Sequence, residues 1–302
     1  YQAMLANTTG ESNVALGTSA LDSNTEGSFN TAIGFAALDA ATTAASNTAV
    51  GSTSLDAVTT GDANTAVGRF SATTITTGLG NTAIGYQALD ANVSSNYNVA
   101  VGFDALSAST VADQVAVGTN ALNANTTGTD NMAFGRSALE ACTTGGDNNA
   151  FGRSALGVIT TGSANAAFGH GAIDACVSGS GNTGMGQNVL TNCTGSNNTA
   201  IGYQAGFSTT SPAQNVFIGY QAGYDNTTGQ YNVAIGGNQA ANNLTTGSFN
   251  IYIGYLSNAS AGDVSGELVL ATGNSTQTGK GTNTGFIDCS NGVFQGNNSS
   301  SW

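Results

Sequence analysis

Basic side chains are almost missing from this chain: Lys and Arg together number 4 in 302 residues, against 17 Asp and Glu, for a formal net charge of −13. So little positive charge offers nothing for a nucleic-acid backbone or an anionic membrane surface to bind, and neither partner is expected. Charged residues of both signs make up 7%, against roughly 25% in ordinary soluble proteins, so hydroxyls and amides must hydrate the surface. No run approaches the roughly 18 apolar residues of a membrane-crossing helix. The first residues also lack the basic start and apolar core of a secretory leader. Residues 1–4 instead match the middle of a repeat, as at 86–89 and 203–206, and a longer polypeptide is expected.

Histidine occurs once, at His170, and the four cysteines, Cys142, Cys176, Cys193 and Cys289, form no Cys-x-x-Cys pair. A zinc site is therefore not expected, nor is any other metal or cofactor. His170 has no Ser or Cys partner in phase, and the carboxylates fall on a regular ladder rather than in a cleft, so the chain does not read as an enzyme.

What is present is a repeat. The motif Asn-x-Ala-z-Gly, with z aliphatic, Phe or Met, begins at Asn13, Asn30, Asn47, Asn64, Asn81, Asn98, Gln114, Asn131, Asn148, Asn165, Asn182, Asn198, Asn215, Asn232 and Asn250. The spacing is 17 residues, shortened to 16 before Gln114 and Asn198 and lengthened to 18 before Asn250. Gly184, Phe217 and Tyr252 replace the Ala, yet the last position is always glycine: Gly17, Gly34, Gly51, Gly68, Gly85, Gly102, Gly118, Gly135, Gly152, Gly169, Gly186, Gly202, Gly219, Gly236 and Gly254. Composition alone suits a disordered tract, but the strict phase of the apolar residues argues for order.

Each repeat reads as a short strand (Asn-Thr-Ala-Ile-Gly), a second short strand (Tyr-Gln-Ala-Leu) and a polar turn ending in Thr-Thr-Gly. A helix is excluded by the recurring glycines and β-branched residues and by the lack of a 3.6-residue apolar period. The expected fold is all-β: a parallel β-solenoid, or β-roll, of about 17-residue coils over residues 1–270. At ~4.8 Å per coil the fifteen motifs give a shaft of roughly 70 Å.

The invariant glycine is expected to turn the corner, where a positive φ or close backbone packing excludes a Cβ, so Gly85→Val should break the stack locally. The Asn column suits a corner too, since Asn tolerates left-handed geometry and its amide can pair with the same amide one coil away. Alternate strand residues face opposite ways. If Ala fills the thin interior, the z residues form an apolar stripe outside it, which calls for a symmetric oligomer, most simply a homotrimer.

Stretches such as 81–89 (Asn-Thr-Ala-Ile-Gly-Tyr-Gln-Ala-Leu) and 198–206 resemble the head repeat of trimeric autotransporter adhesins. That resemblance implies a left-handed parallel β-roll, although the coil here is longer than is usual in that family. The same stretches are more similar to the repeats of bacteriophage tail fibres followed by an endosialidase-type intramolecular chaperone. Residues 283–302 look like the segment that precedes such a chaperone, which trimerises the fibre and then cuts itself away. A β cap or tip is expected over 271–302, with two short strands, 286–289 and 293–295, about a Ser-Asn-Gly turn, and with the 17-residue phase breaking after Leu270.

This resemblance implies a virion protein that associates with itself and with other tail proteins and projects a binding tip towards a host-surface glycan or protein. A trimeric adhesin on the bacterial surface is the alternative. An ice-binding solenoid is a remote one, because Thr stands next to Thr in the turns rather than in a Thr-x-Thr face.

The position after the repeat glycine varies most. Arg136, Arg153 and His170 follow one another there, and Tyr203, Tyr220 and Tyr255 occupy it further on. These six are the candidate receptor-binding residues: the basic ladder suits an anionic glycan, and the rings suit stacking on sugars. Packing along a trimer seam is the plainer alternative. Five residues after the glycine stand Asp22, Asp39, Asp56, Asp90, Glu140 and Asp174, a carboxylate column that a divalent cation could bridge but that solvation explains more simply. Cys142, Cys176 and Cys193 share another column. Cys176 and Cys193 stand in adjacent coils, close enough for a disulfide, though small apolar residues filling a small slot is the simpler reading.

Overall fold

The computed structural model describes residues 2–211, 213–271, 276–288 and 293–296, and for 286–288 and 293–296 the backbone alone. The chain divides into two compact units, Tyr1–Ala150 and Phe151–Trp302. Both are parallel β-solenoids with coils of about 17 residues, and no helix occurs among the described residues.

In the first unit, eight three-residue strands run from Val14–Leu16 to Met132–Phe134. Neighbouring strands pair in parallel, each with the same three positions of the next coil, for example Thr31 with Thr48, Ala32 with Ala49 and Ile33 with Val50, as far as Val115–Val117 with Met132–Phe134. The second unit repeats this register from Ala166–Phe168 to Ile251–Ile253. Only three residues per coil are extended, so no coil holds its shape alone and the ladder between coils supplies the order.

The interior is thin. The central Ala of each strand is buried, as at Ala32, Ala83 and Ala200, and so is the Leu four residues after the glycine, as at Leu38, Leu89 and Leu190. The z residues point the other way: Ile33 is 36% exposed, Ile84 39% and Met185 45%.

Tyr-Gln-Ala-Leu is not a second strand. It is a run of turns in which alternate residues adopt left-handed backbone, Gln87 at φ 52° and Leu89 at φ 57°, and this pairing recurs in most coils. Left-handed geometry is costly for a bulky residue, and two opposed backbone bonds hold it here. Gln87 N–H donates down the stack to the Arg69 carbonyl (3.3 Å), and Leu89 N–H donates up the stack to that of Ala105 (3.0 Å). A short coil needs corners more than it needs a second strand.

The repeat glycines are corners as expected. Gly85 has φ 138°, and a Cβ there would strike the Gly102 carbonyl oxygen of the next coil. The Asn column differs in one respect: the left-handed residue is the one before it, such as Ser46 (φ 60°) or Tyr97 (φ 59°), while the Asn itself is not left-handed. Its amide pairing is as expected. Asn64 Oδ1 accepts from the backbone N–H (3.0 Å) and the Nδ2 (3.0 Å) of Asn81, and Asn64 Nδ2 donates to the Gly78 carbonyl (2.8 Å). Gln114, in the place of an Asn, keeps the rail intact: its N–H donates to Asn98 Oδ1 (3.0 Å) and its Oε1 accepts from Asn131 N–H (3.3 Å). Its backbone N–H thus bridges the coil that is one residue short, and its longer side chain reaches across the next, 17-residue coil.

The expected break in phase after Leu270 does not occur. The strand Leu268–Ala271 pairs in parallel with Ile251–Ile253, and Gly285–Asp288 pairs in parallel with Leu268–Ala271, each 17 residues further on. The change comes later, where Val293–Gly296 pairs antiparallel with Gly285–Asp288. The Ser-Asn-Gly turn expected between those two strands, Cys289 and Trp302 lie outside the described residues.

Candidate recognition surface

The residue after each repeat glycine leaves the strand just as the chain turns, so its side chain is carried outward. Arg136 is exposed on the first unit; Arg153, His170, Tyr203, Tyr220 and Tyr255 are exposed on the second. Within the second unit, Arg153 Nε–H donates to His170 Nε2 at 2.9 Å. Asp174, four residues on, has a carboxyl pushed up by burial against the pull of a backbone bond from Gly157.

Aromatic rings in this column stack on one another. Tyr203 and Tyr220 lie with centroids 5.6 Å apart and planes 12° from parallel, and in the first unit Tyr86 and Phe103 stack at 5.3 Å and 12°. Each ring therefore turns one face to its neighbour in the stack. Beside the tyrosines runs an amide rail, Gln239 to Gln221 to Gln204, with Nε2 to Oε1 distances of 3.1 and 2.8 Å. Tyr255 takes a bond from Asn238 (3.1 Å).

Asp39, Asp56 and Asp104 in the first unit have carboxyls raised above the ordinary value, mainly by burial and further by neighbouring carboxylates: Asp22 for Asp39, Asp39 and Asp90 for Asp56, and Asp90 for Asp104. Thr73 donates to Asp90, and Asn120 donates to Glu140 (3.2 Å). No group of three or more His, Cys, Asp or Glu side chains among the described residues is placed to hold a metal ion.

Cys142, Cys176 and Cys193 are free and buried. Their thiols face the carbonyls of Gly145 (3.4 Å), Gly179 (3.7 Å) and Gly195 (3.7 Å). Asn125 and Asn226 of the same column donate to the matching carbonyls of Gly128 and Gly229. Burial pushes the Cys142 thiol up to about 11 and the Cys193 thiol to about 12, so these are inert interior groups.

One buried ionisable group went unnoticed in the sequence. Glu267 is 1% exposed. It stands 17 residues after Asn250, at the head of Glu-Leu-Val-Leu-Ala, and a search for Asn at that phase passes over it.

No family model, no curated protein and no solved structure matches the chain.

Proposed function

We propose that the chain is the shaft of a homotrimeric bacteriophage tail fibre, a structural protein that associates with other tail proteins and carries recognition groups towards a host-surface glycan or protein. The observation that carries the self-association is the outward face of the sheet. Its two columns, Thr31, Thr48, Thr65 and Thr82 beside Ile33, Val50, Val67 and Ile84 in the first unit, contain no charged residue in either unit, on a chain of net charge −13. A continuous apolar stripe of this length is covered in soluble proteins, and copies of the same stripe are its natural cover. The viral assignment rests on the likeness of the Asn-Thr-Ala-Ile-Gly-Tyr-Gln-Ala-Leu repeats to tail-fibre repeats. The exposed Arg, His and Tyr column supplies the recognition groups, as hydrogen-bonding heads and aromatic rings.

Light scattering in native buffer tests the first part: a mass of three chains is expected, and a stable monomer overturns the reading. Binding of host cells by the full chain, compared with the variant Arg153→Gln/Tyr203→Ala/Tyr220→Ala, tests the second. A several-fold loss supports recognition along the shaft, and unchanged binding removes these residues from it.

A further inference from the structure

The asparagine rail has a fixed polarity. In coil after coil the Asn Nδ2 donates to the carbonyl 14 residues further on: Asn30 to Ala44 (2.7 Å), Asn47 to Gly61 (2.9 Å), Asn215 to Gly229 (3.0 Å) and Asn250 to Val264 (2.8 Å). At the next position of the column stands Glu267. It still passes its backbone N–H to Asn250 Oδ1 (2.8 Å), so it occupies the rail. A carboxylate has no hydrogen to donate, and 14 residues further on the peptide is reversed: Gly281 offers its N–H to Glu267 Oε1 at 2.7 Å. Gly281 has φ 115° with nothing within 4 Å of an added Cβ, so it is glycine for its backbone angle and not for space. The other oxygen, Oε2, accepts from Tyr252 Oη (2.8 Å) and from Ser260 N–H (3.1 Å).

The crossing segment is tied down on the same side. Gln277–Thr278 pairs in parallel with Ser257–Asn258, Gly279 N–H donates to the Asn258 carbonyl (2.9 Å), and a Cβ on Gly279 would strike the Glu267 carboxyl group. Thr284, the next member of the Asn column, donates its hydroxyl to the Gly281 carbonyl (2.6 Å), which completes the reversal.

We propose that Glu267 is a carboxylate clasp: it ends the asparagine rail by inverting its donor–acceptor polarity and pins residues 277–281 across the coil, setting where the regular shaft hands over to the C-terminal segment. The site requires a carboxylate. Both oxygens face a backbone N–H, so an amide in either orientation sets its NH2 against Gly281 or against Ser260.

Native-state hydrogen exchange on the full chain tests this with two variants. Glu267→Gln, equal in length and shape, is expected to speed exchange of whichever of the Gly281 and Ser260 amides faces its NH2 about tenfold or more, with the Asn198, Asn215 and Asn232 amides unchanged. Tyr252→Phe removes one donor but leaves both oxygens facing their backbone partners, so Gly281 and Ser260 are expected to stay within about threefold of wild type. The proposal is overturned if Glu267→Gln leaves both amides as protected as in wild type. It is equally overturned if that variant loosens the rail amides to the same extent, or if Tyr252→Phe matches its effect.

Discussion

A parallel stack sets each side chain ~4.8 Å from its own copies, so the stability of a column depends on whether one residue type can both give and receive a hydrogen bond. Asn does both, and the buried rail through Asn47, Asn64 and Asn81 uses its donors and its acceptor together. Threonine does so in the turns by a mixed route, as Thr42 Oγ1 donates to the Thr59 carbonyl (3.1 Å) and Thr59 Oγ1 to that of Thr76 (3.3 Å). Ionised Asp only accepts, and Asp22, Asp39 and Asp56 in successive coils have no such exchange available to them. Asp56 is raised by burial first and by Asp39 and Asp90 after it, against the pull of its own and the Ala57 backbone N–H. Because the folded carboxyl holds its proton more tightly than the unfolded one, the associated stability is present below the ordinary value of 3.8 and is lost as pH rises through the raised one. Asp56→Asn keeps the acceptor and removes the charge. It is expected to raise the thermal midpoint at pH 7, by an amount worth less than about 1 kcal/mol for so accessible a group, and to leave the midpoint at pH 3 unchanged. Thermal unfolding followed by circular dichroism at the two pH values checks both; a gain that persists at pH 3 would assign the effect to packing instead of charge.

Within a coil the interior has a fixed volume, and substitutions there come in compensating sets. Where Phe217 takes the place of the usual Ala, the Leu positions of its own coil and the preceding one become Gly223 and Gly206, and a Cβ on either would strike the Phe217 ring. Leu occupies the equivalent left-handed position elsewhere, as at Leu89 (φ 57°) and Leu190 (φ 47°), so these two glycines are there for space and not for backbone angle. Gly184 in an Ala position likewise makes room for Ile173 and Val189. Phe217→Ala is expected to cost about 3–5 kcal/mol by leaving a cavity. Adding Gly206→Leu and Gly223→Leu to that variant should recover at least half of the loss, while either Leu alone in the wild-type background should destabilise through overpacking. Chemical denaturation of the four proteins reads the coupling directly. Simple additivity would show that the three sites do not share one volume.

These sets mark the limit of what was legible in the sequence. The coil length, the inward Ala, the outward z residue and the glycine corner could all be read, because each rests on one column repeating at one spacing. Tyr-Gln-Ala-Leu could not be read correctly: its adjacent Ala and Leu are both buried, as at Ala88 and Leu89, because alternate residues are left-handed, and only the backbone shows that. Glu267 was passed over because it breaks the residue identity of its column while keeping its phase, and its partner Gly281 is recognisable only from the direction of a peptide N–H. The outward Arg, His and Tyr column could be named from sequence as a position. The stacking of its rings, which turns one face of each towards its neighbour, could not.

At the scale of the whole molecule, the distribution of charge separates the surfaces by role. Apart from Asp288, which ends the strand Gly285–Asp288, the acidic residues lie outside the strands, and the outward columns of the strands carry none in either unit. A sheet face kept only for hydration would tolerate Asp or Glu among its Thr and Val, whereas a seam between copies would exclude them, because burying an unpaired carboxylate costs roughly 3 kcal/mol or more. Symmetry multiplies that cost, since one substitution enters the seam once per chain. Val67→Glu together with Ile84→Glu is therefore expected to shift the protein from three chains to one at micromolar concentration. Thr43→Glu together with Thr60→Glu, which places the same two charges on exposed turns, should leave the mass at three. Light scattering on both variants gives the answer, with circular dichroism confirming that the β signal survives. If the seam variant remains trimeric, the apolar stripe is not where the copies meet, and the contact must be sought along the Arg, His and Tyr column instead.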